Sequence, residues 1–115
     1  MTKTMLIIED NLSFRECLEY YFEDMGYSIL AAANGRDALY FIDDYTIDVC
    51  ISDYMIPYFT GLEIYKEFSK KFPESVFILM SGCIVENRPI EVPFISKPFD
   101  LEELNDIINM YIEER

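Results

Sequence analysis

The chain has no histidine, only nine basic residues among 115, and only four glycines. Cysteine is also sparse: Cys17, Cys50 and Cys83 are far apart, with no CxxC pair. Without histidine or paired thiols, this pattern argues against a zinc site and against a disulfide framework, and for a reducing compartment. The shortage of basic residues leaves a net charge of −13. A surface of that sign repels nucleic acid and anionic membranes and favours cations. Long apolar runs are missing too, and the N-terminal MTKTMLIIED is neither a signal peptide nor a membrane span. Neither a GxxxxGK[ST] nor a GxGxxG loop occurs, so nothing suggests a bound nucleotide. No repeat, low-complexity tract or Gly/Ser/Pro-rich linker divides the chain, so residues 1–115 are expected to form one domain. A chain of this length can bury roughly two thirds of its unfolded surface, enough for a core without staples.

What is present is a regular alternation. Met5–Ile8 is a short, continuously apolar run that reads as a strand covered on both faces, and it ends in Glu9-Asp10. Ser13 with Glu16 forms a capping-box pattern. Phe14, Cys17, Leu18, Tyr21, Phe22 and Met25 then recur at helical spacing up to Gly26. Tyr27–Ala33 reads as a second strand, with Asn34-Gly35 as the turn out of it. Ala38, Leu39, Ile42 and Tyr45 mark one face of a second helix. A third strand, Ile47–Ser52, runs into Asp53, with Pro57 and Gly61 beyond. Leu62, Tyr65, Phe68 and Phe72 give a third helix that Pro73 stops. Val76–Met80 is a fourth strand. Ile95 and its neighbours form a short fifth, with Pro93 restricting it to a sheet edge. Asp100 and Glu103 open a last helix buried through Leu104, Ile107, Ile108 and Tyr111.

Strands alternating with helices predict a doubly wound α/β domain: a five-stranded parallel sheet with helices on both faces. Such sheets gather functional loops at the C-terminal edge of the strands. Glu9-Asp10, Asp53, Ser81 and Lys97 then share one rim. An Asp at a strand end is an ordinary turn residue. An acidic pair, an acid, a hydroxyl and an ammonium on four strand ends form a constellation. Three carboxylates converging on one point need a cation, and an all-oxygen donor set favours a hard one such as Mg2+. With a lysine and a hydroxyl opposite, the group suits phosphoryl transfer with Asp53 as the nucleophile.

These features resemble the response-regulator receiver domains of two-component signalling. The likeness is carried by Glu9-Asp10, Arg15, Asn34-Gly35 with Ala38-Leu39, the block from Asp53 through Pro57 to Gly61, Ser81-Gly82, and Lys97-Pro98-Phe99. It covers essentially the whole chain. It implies a flavodoxin-like fold with strand order 2-1-3-4-5, and a phosphoacceptor Asp53 charged by a sensor histidine kinase or histidine phosphotransfer protein in the cytoplasm. It further implies Mg2+, with Mn2+ as a substitute, held directly by Asp10 and Asp53, by Glu9 through a water, and by the backbone carbonyl of Met55. Ser81 and Lys97 would bind the phosphoryl group, the Lys97–Pro98 bond would be cis, and Phe94 would be the switch aromatic.

Two departures from the family pattern stand out. Only 15 residues separate Ser81 from Lys97, and Pro89 interrupts them. The fourth helix is therefore expected to be shortened or missing, which puts in question the dimer that many receivers form through that face. Met55 and Cys83, two positions after Asp53 and Ser81, stand where family members tune the acyl-phosphate lifetime, and two largely apolar side chains there would shield it. A redox role for Cys83 has no support in its sequence surroundings, which hold no adjacent base. Competing functions are a degenerate receiver used only for protein interaction and a small Mg2+-dependent phosphatase with an aspartyl nucleophile. The first usually lacks the acceptor or the lysine, and both are present. The second wants another acid where Met55 stands.

Overall fold

The computed structural model describes residues 2–85 and 88–113. Five strands alternate with helices: β1 (Thr4–Ile8), α1 (Leu12–Asp24), β2 (Ser28–Ala32), α2 (Gly35–Asp44), β3 (Val49–Asp53), α3 (Gly61–Lys71), β4 (Val76–Ser81), β5 (Phe94–Ser96) and α4 (Leu101–Glu113). The pairings within the five-stranded sheet are parallel and the order is β2-β1-β3-β4-β5, as expected.

The continuously apolar strands follow from cover on both faces, because successive side chains point to opposite sides. On one side Leu6, Ile8, Cys50, Phe77 and Leu79 pack with Ala38 and Ile42 of α2 and Ile64 and Phe68 of α3. On the other, Met5, Ile7, Val49, Ile51, Ile78 and Met80 pack with Leu18 and Phe22 of α1 and Leu104 and Ile108 of α4.

Several local expectations are corrected. Asn11, not Ser13, caps α1: its side-chain oxygen accepts from the Phe14 N–H at 2.9 Å. An Asn ahead of the first helical residue meets the orphan amide directly, which leaves Ser13 exposed inside the first turn. The buried stripe of α1 is narrower than its apolar spacing suggests. Leu18 and Phe22 are buried, while Cys17 and Met25 are exposed. Asn34 is more than a turn residue, since its side chain caps α2 by accepting from the Asp37 N–H. Tyr45 lies past the end of α2 and is exposed. In α3 the buried residues are Gly61, Ile64 and Phe68. A reciprocal capping box opens this helix, between Thr60 and Glu63.

Among the described residues no helix lies between β4 and β5. The Val92 N–H instead closes a turn on the Pro89 carbonyl, and the Pro93 carbonyl accepts from the Leu79 N–H. Pro93 thus enters the sheet edge through its acceptor alone, the one ladder group a proline has. The last helix is accordingly the fourth among the described residues.

Candidate functional site

The parallel order brings the C-terminal ends of β1, β3, β4 and β5 onto one rim. Asp53 is the last residue of β3, Ser81 the last of β4, Glu9 follows β1, and Lys97 follows β5. Carboxylate oxygens of Glu9, Asp10 and Asp53 lie within 4.8 Å of one another, with Glu9 buried, Asp53 partly buried and Asp10 exposed. This donor set is all oxygen, and it fits a hard divalent cation.

Lys97 closes the cluster. Its Nζ donates to Glu9 Oε1 at 2.8 Å and lies 3.4 Å from Asp53 Oδ2. Glu9 is only 1% exposed, and its second oxygen accepts from the Asn11 N–H. Both Glu9 oxygens are thus engaged, and Arg15 secures its backbone by donating to the Glu9 carbonyl at 2.9 Å. Asp53 Oδ1 accepts from the Tyr54 N–H. Burial pushes the Asp53 carboxyl above its ordinary range, and the nearby Glu9 pushes the same way, while Lys97 and the Tyr54 amide oppose it. Burial disfavours the Lys97 ammonium, but the Glu9 and Asp53 carboxylates more than offset this and hold it charged beyond its ordinary range.

The loop after β3 is held close to Asp53. The Gly61 N–H donates to the Tyr54 carbonyl at 2.7 Å, and a Cβ on Gly61 would sit 2.6 Å from the Asp53 carbonyl oxygen. Only glycine lets α3 begin this near the end of β3. Tyr58, at φ 76°, takes a left-handed conformation that costs a non-glycine residue about 1–2 kcal/mol. The Arg36 guanidinium stacks over its ring at 4.3 Å.

The remaining residues singled out in the sequence lie around this centre. Ser81 is buried and its hydroxyl engages Cys83, accepting from the backbone N–H at 3.1 Å and donating to the carbonyl at 3.0 Å. Cys83 Sγ lies 3.3 Å from the Ser81 hydroxyl oxygen. Met55 and Cys83 are exposed at the rim. Phe94 is half-buried beneath the Arg88 guanidinium, which also donates to the Val92 carbonyl. The Lys97–Pro98 bond is cis. Phe14, read in the sequence only as part of a helical stripe, places its ring 4.8 Å from Lys97 Nζ. Its position four residues after Asp10, one turn into α1, was the available signal.

Residues 5–109 match the family model of the response regulator receiver domain. The chain is similar to the sporulation initiation phosphotransferase F of Bacillus subtilis, 29% identical over 119 residues that cover 97% of this chain and 95% of that protein. It is also similar to the transcriptional regulatory protein CrdR of Helicobacter pylori, 24% identical over 99% of this chain; there it spans 57% of the relative's length. Among solved structures it resembles the response regulator TrrA of Thermotoga maritima in complex with Mg(2+)-BeF. That likeness has a TM-score of 0.84 and 26% identity, and covers 96% of this chain and 99% of that one.

Proposed function

The chain belongs to the response regulator receiver domain family, and on that premise we propose that Asp53 is its phosphoacceptor, charged from a phosphohistidine in a two-component phosphorelay. The observation that carries this reading is the gathering of the Glu9, Asp10 and Asp53 carboxylates with Lys97 Nζ 3.4 Å from Asp53.

An Asp53 carboxylate oxygen attacks phosphorus in line. The new O–P bond forms as the donor's P–N bond breaks, and the imidazole nitrogen leaves with the electron pair and takes up a proton from solvent. Lys97 neutralises charge on the transferring oxygens, and Ser81 turns its hydroxyl from Cys83 to one of them. Asp10 and Asp53 would hold Mg2+ or Mn2+ directly, Glu9 through a water, and Met55 through its backbone carbonyl. The ion would offset the three carboxylates and the phosphoryl charge. The domain thus catalyses only its own aspartyl phosphorylation and dephosphorylation.

The donor is a sensor histidine kinase or a histidine phosphotransfer protein, and the setting is the cytoplasm. Among the described residues no helix is long and apolar enough to cross a membrane, and the charge of −13 opposes a nucleic-acid role. Residues 1–115 act as one receiver domain. With no helix between β4 and β5 among the described residues, the signal leaves by another face or the phosphoryl group is relayed onward, and dimerisation through the fourth-helix face is not expected.

Intact mass after incubation with Mg2+ and acetyl phosphate tests the reading. A gain of one phosphoryl group that requires Mg2+ and disappears in Asp53→Asn supports it; no gain in the unaltered chain overturns it. A second outcome concerns lifetime. Met55 offers no hydrogen bond to an attacking water, so Met55→Asn is expected to speed self-hydrolysis by roughly tenfold, the effect of one well-placed hydrogen bond of about 1.4 kcal/mol. An unchanged half-life of the phosphorylated protein would refute the shielding role.

A further inference from the structure

We infer that Phe14 is a positioning residue for phosphoryl transfer, its ring holding the Lys97 ammonium over the acceptor carboxylate. The inference rests on the phosphoacceptor reading of Asp53. Lysine carries its charge on a flexible four-carbon stem, and an ammonium this close to a rim gains hydration by swinging outward. Two of its partners here are carboxylates, Glu9 at 2.8 Å and Asp53 at 3.4 Å. The third is the Phe14 ring, with the centroid 4.8 Å from Nζ. The face of an aromatic ring attracts a cation without offering an acceptor that would lead it away from the carboxylates.

The ring is itself fixed on two sides. Its backbone lies in the first turn of α1, where its amide is tied to the Asn11 cap. Its other side meets Phe99 edge to face, with centroids 5.9 Å apart and planes at 63°. Phe99 follows Lys97 by two residues, so Phe14 joins α1 to the loop that carries the lysine. Glu9 will be drawn on by a cation at the carboxylate cluster, and Asp53 changes charge distribution once it is phosphorylated. The ring partner is unaffected by either event.

The test compares Phe14→Leu, which keeps apolar bulk but removes the π face, with Phe14→Tyr, which keeps the face. The readouts are phosphorylation kinetics with acetyl phosphate at saturating Mg2+, and the NMR shift of the Lys97 ε-methylene protons. The leucine variant is expected to lose about fivefold or more in maximal rate with the half-saturating donor concentration unchanged. It should also lose the upfield ring-current shift that the unaltered chain shows. Tyrosine should restore both. Equal rates in the leucine variant and the unaltered chain, a loss confined to half-saturation, or no rescue by tyrosine would each overturn the inference while leaving the phosphoacceptor standing. No labelling of the unaltered chain would overturn the phosphoacceptor reading and this inference with it.

Discussion

Lys97→Met is expected to have two effects of opposite sign: a maximal phosphorylation rate lower by roughly a hundredfold, and Mg2+ binding tighter by roughly tenfold. The first follows from the role of the ammonium. Donors aimed at charge that develops in transfer are worth about 10²–10³ in rate when one is removed. Among the described residues Lys97 is the cation paired with Asp53, its Nζ 3.4 Å from Oδ2. The second follows from what Lys97 holds before any donor arrives. Its Nζ donates to Glu9 Oε1 at 2.8 Å and faces Asp53, so it engages two of the three carboxylates that would receive the metal. It acts as an internal counter-ion, and a divalent cation entering the cluster meets a resident positive charge of the same sign. Removing that charge leaves three carboxylates with less neutralisation, and a gain of about 1.4 kcal/mol is modest for unit charges this close at an effective dielectric near 20. Methionine keeps the stem's apolar packing and removes only the charge. Calorimetric titration with Mg2+ and labelling with acetyl phosphate read the two effects separately. Weaker Mg2+ binding in the variant would show that Lys97 orders the cluster rather than competing for it.

The rim residues were legible before the fold was, because each falls where a strand pattern stops. Apolar runs ending at Glu9, Asp53 and Ser81 mark the carboxyl edge of a parallel sheet, and the 2-1-3-4-5 order follows from the family resemblance. The helix faces were read less well, for a physical reason. Spacing shows which residues can share a face, but it does not say how wide the buried stripe is. Cys17 and Met25 share the pattern of α1, yet the sheet covers only Leu18 and Phe22 fully. In α3 the spacing of Leu62, Tyr65, Phe68 and Phe72 omits Ile64, which is buried, while Leu62 and Tyr65 are only partly covered. The cap of α1 was misplaced because the Ser13–Glu16 spacing imitates a capping box, whereas the first turn starts earlier and its amide meets Asn11. The contact between Phe14 and Lys97 spans α1 and the loop after β5, so the place of Phe14 one turn beyond Asp10 put it near the rim but did not name its partner.

Asp53→Asn is expected to make the Mg2+-free protein more stable, by about 1 kcal/mol after discounting for screening at a partly exposed rim. Burial, reinforced by Glu9, raises the Asp53 carboxyl above its ordinary value of 3.8 despite the opposing Lys97. A carboxyl raised on folding binds its proton more tightly in the native state than in the unfolded chain. Stability is therefore lost as pH climbs from the unfolded value to the raised folded one, and the full penalty remains at neutral pH. Asparagine removes the charge but keeps an oxygen for the Tyr54 N–H, and Lys97 keeps its shorter bond to Glu9. The advantage of the variant is widest at neutral pH and narrows as pH falls through the raised folded value toward the ordinary 3.8. Mg2+ reverses the order: at a concentration one hundred times its Kd it adds about 2.7 kcal/mol to a protein that binds it only when folded. The unaltered chain should gain close to that, and the variant, with one carboxylate fewer, much less. Urea unfolding of both proteins in EDTA and in saturating Mg2+ gives all four values. A variant less stable than the unaltered chain in EDTA would mean that the Lys97–Asp53 attraction outweighs the burial of the acceptor. The cluster would then be a structural ion pair rather than a site held at a cost until a cation arrives.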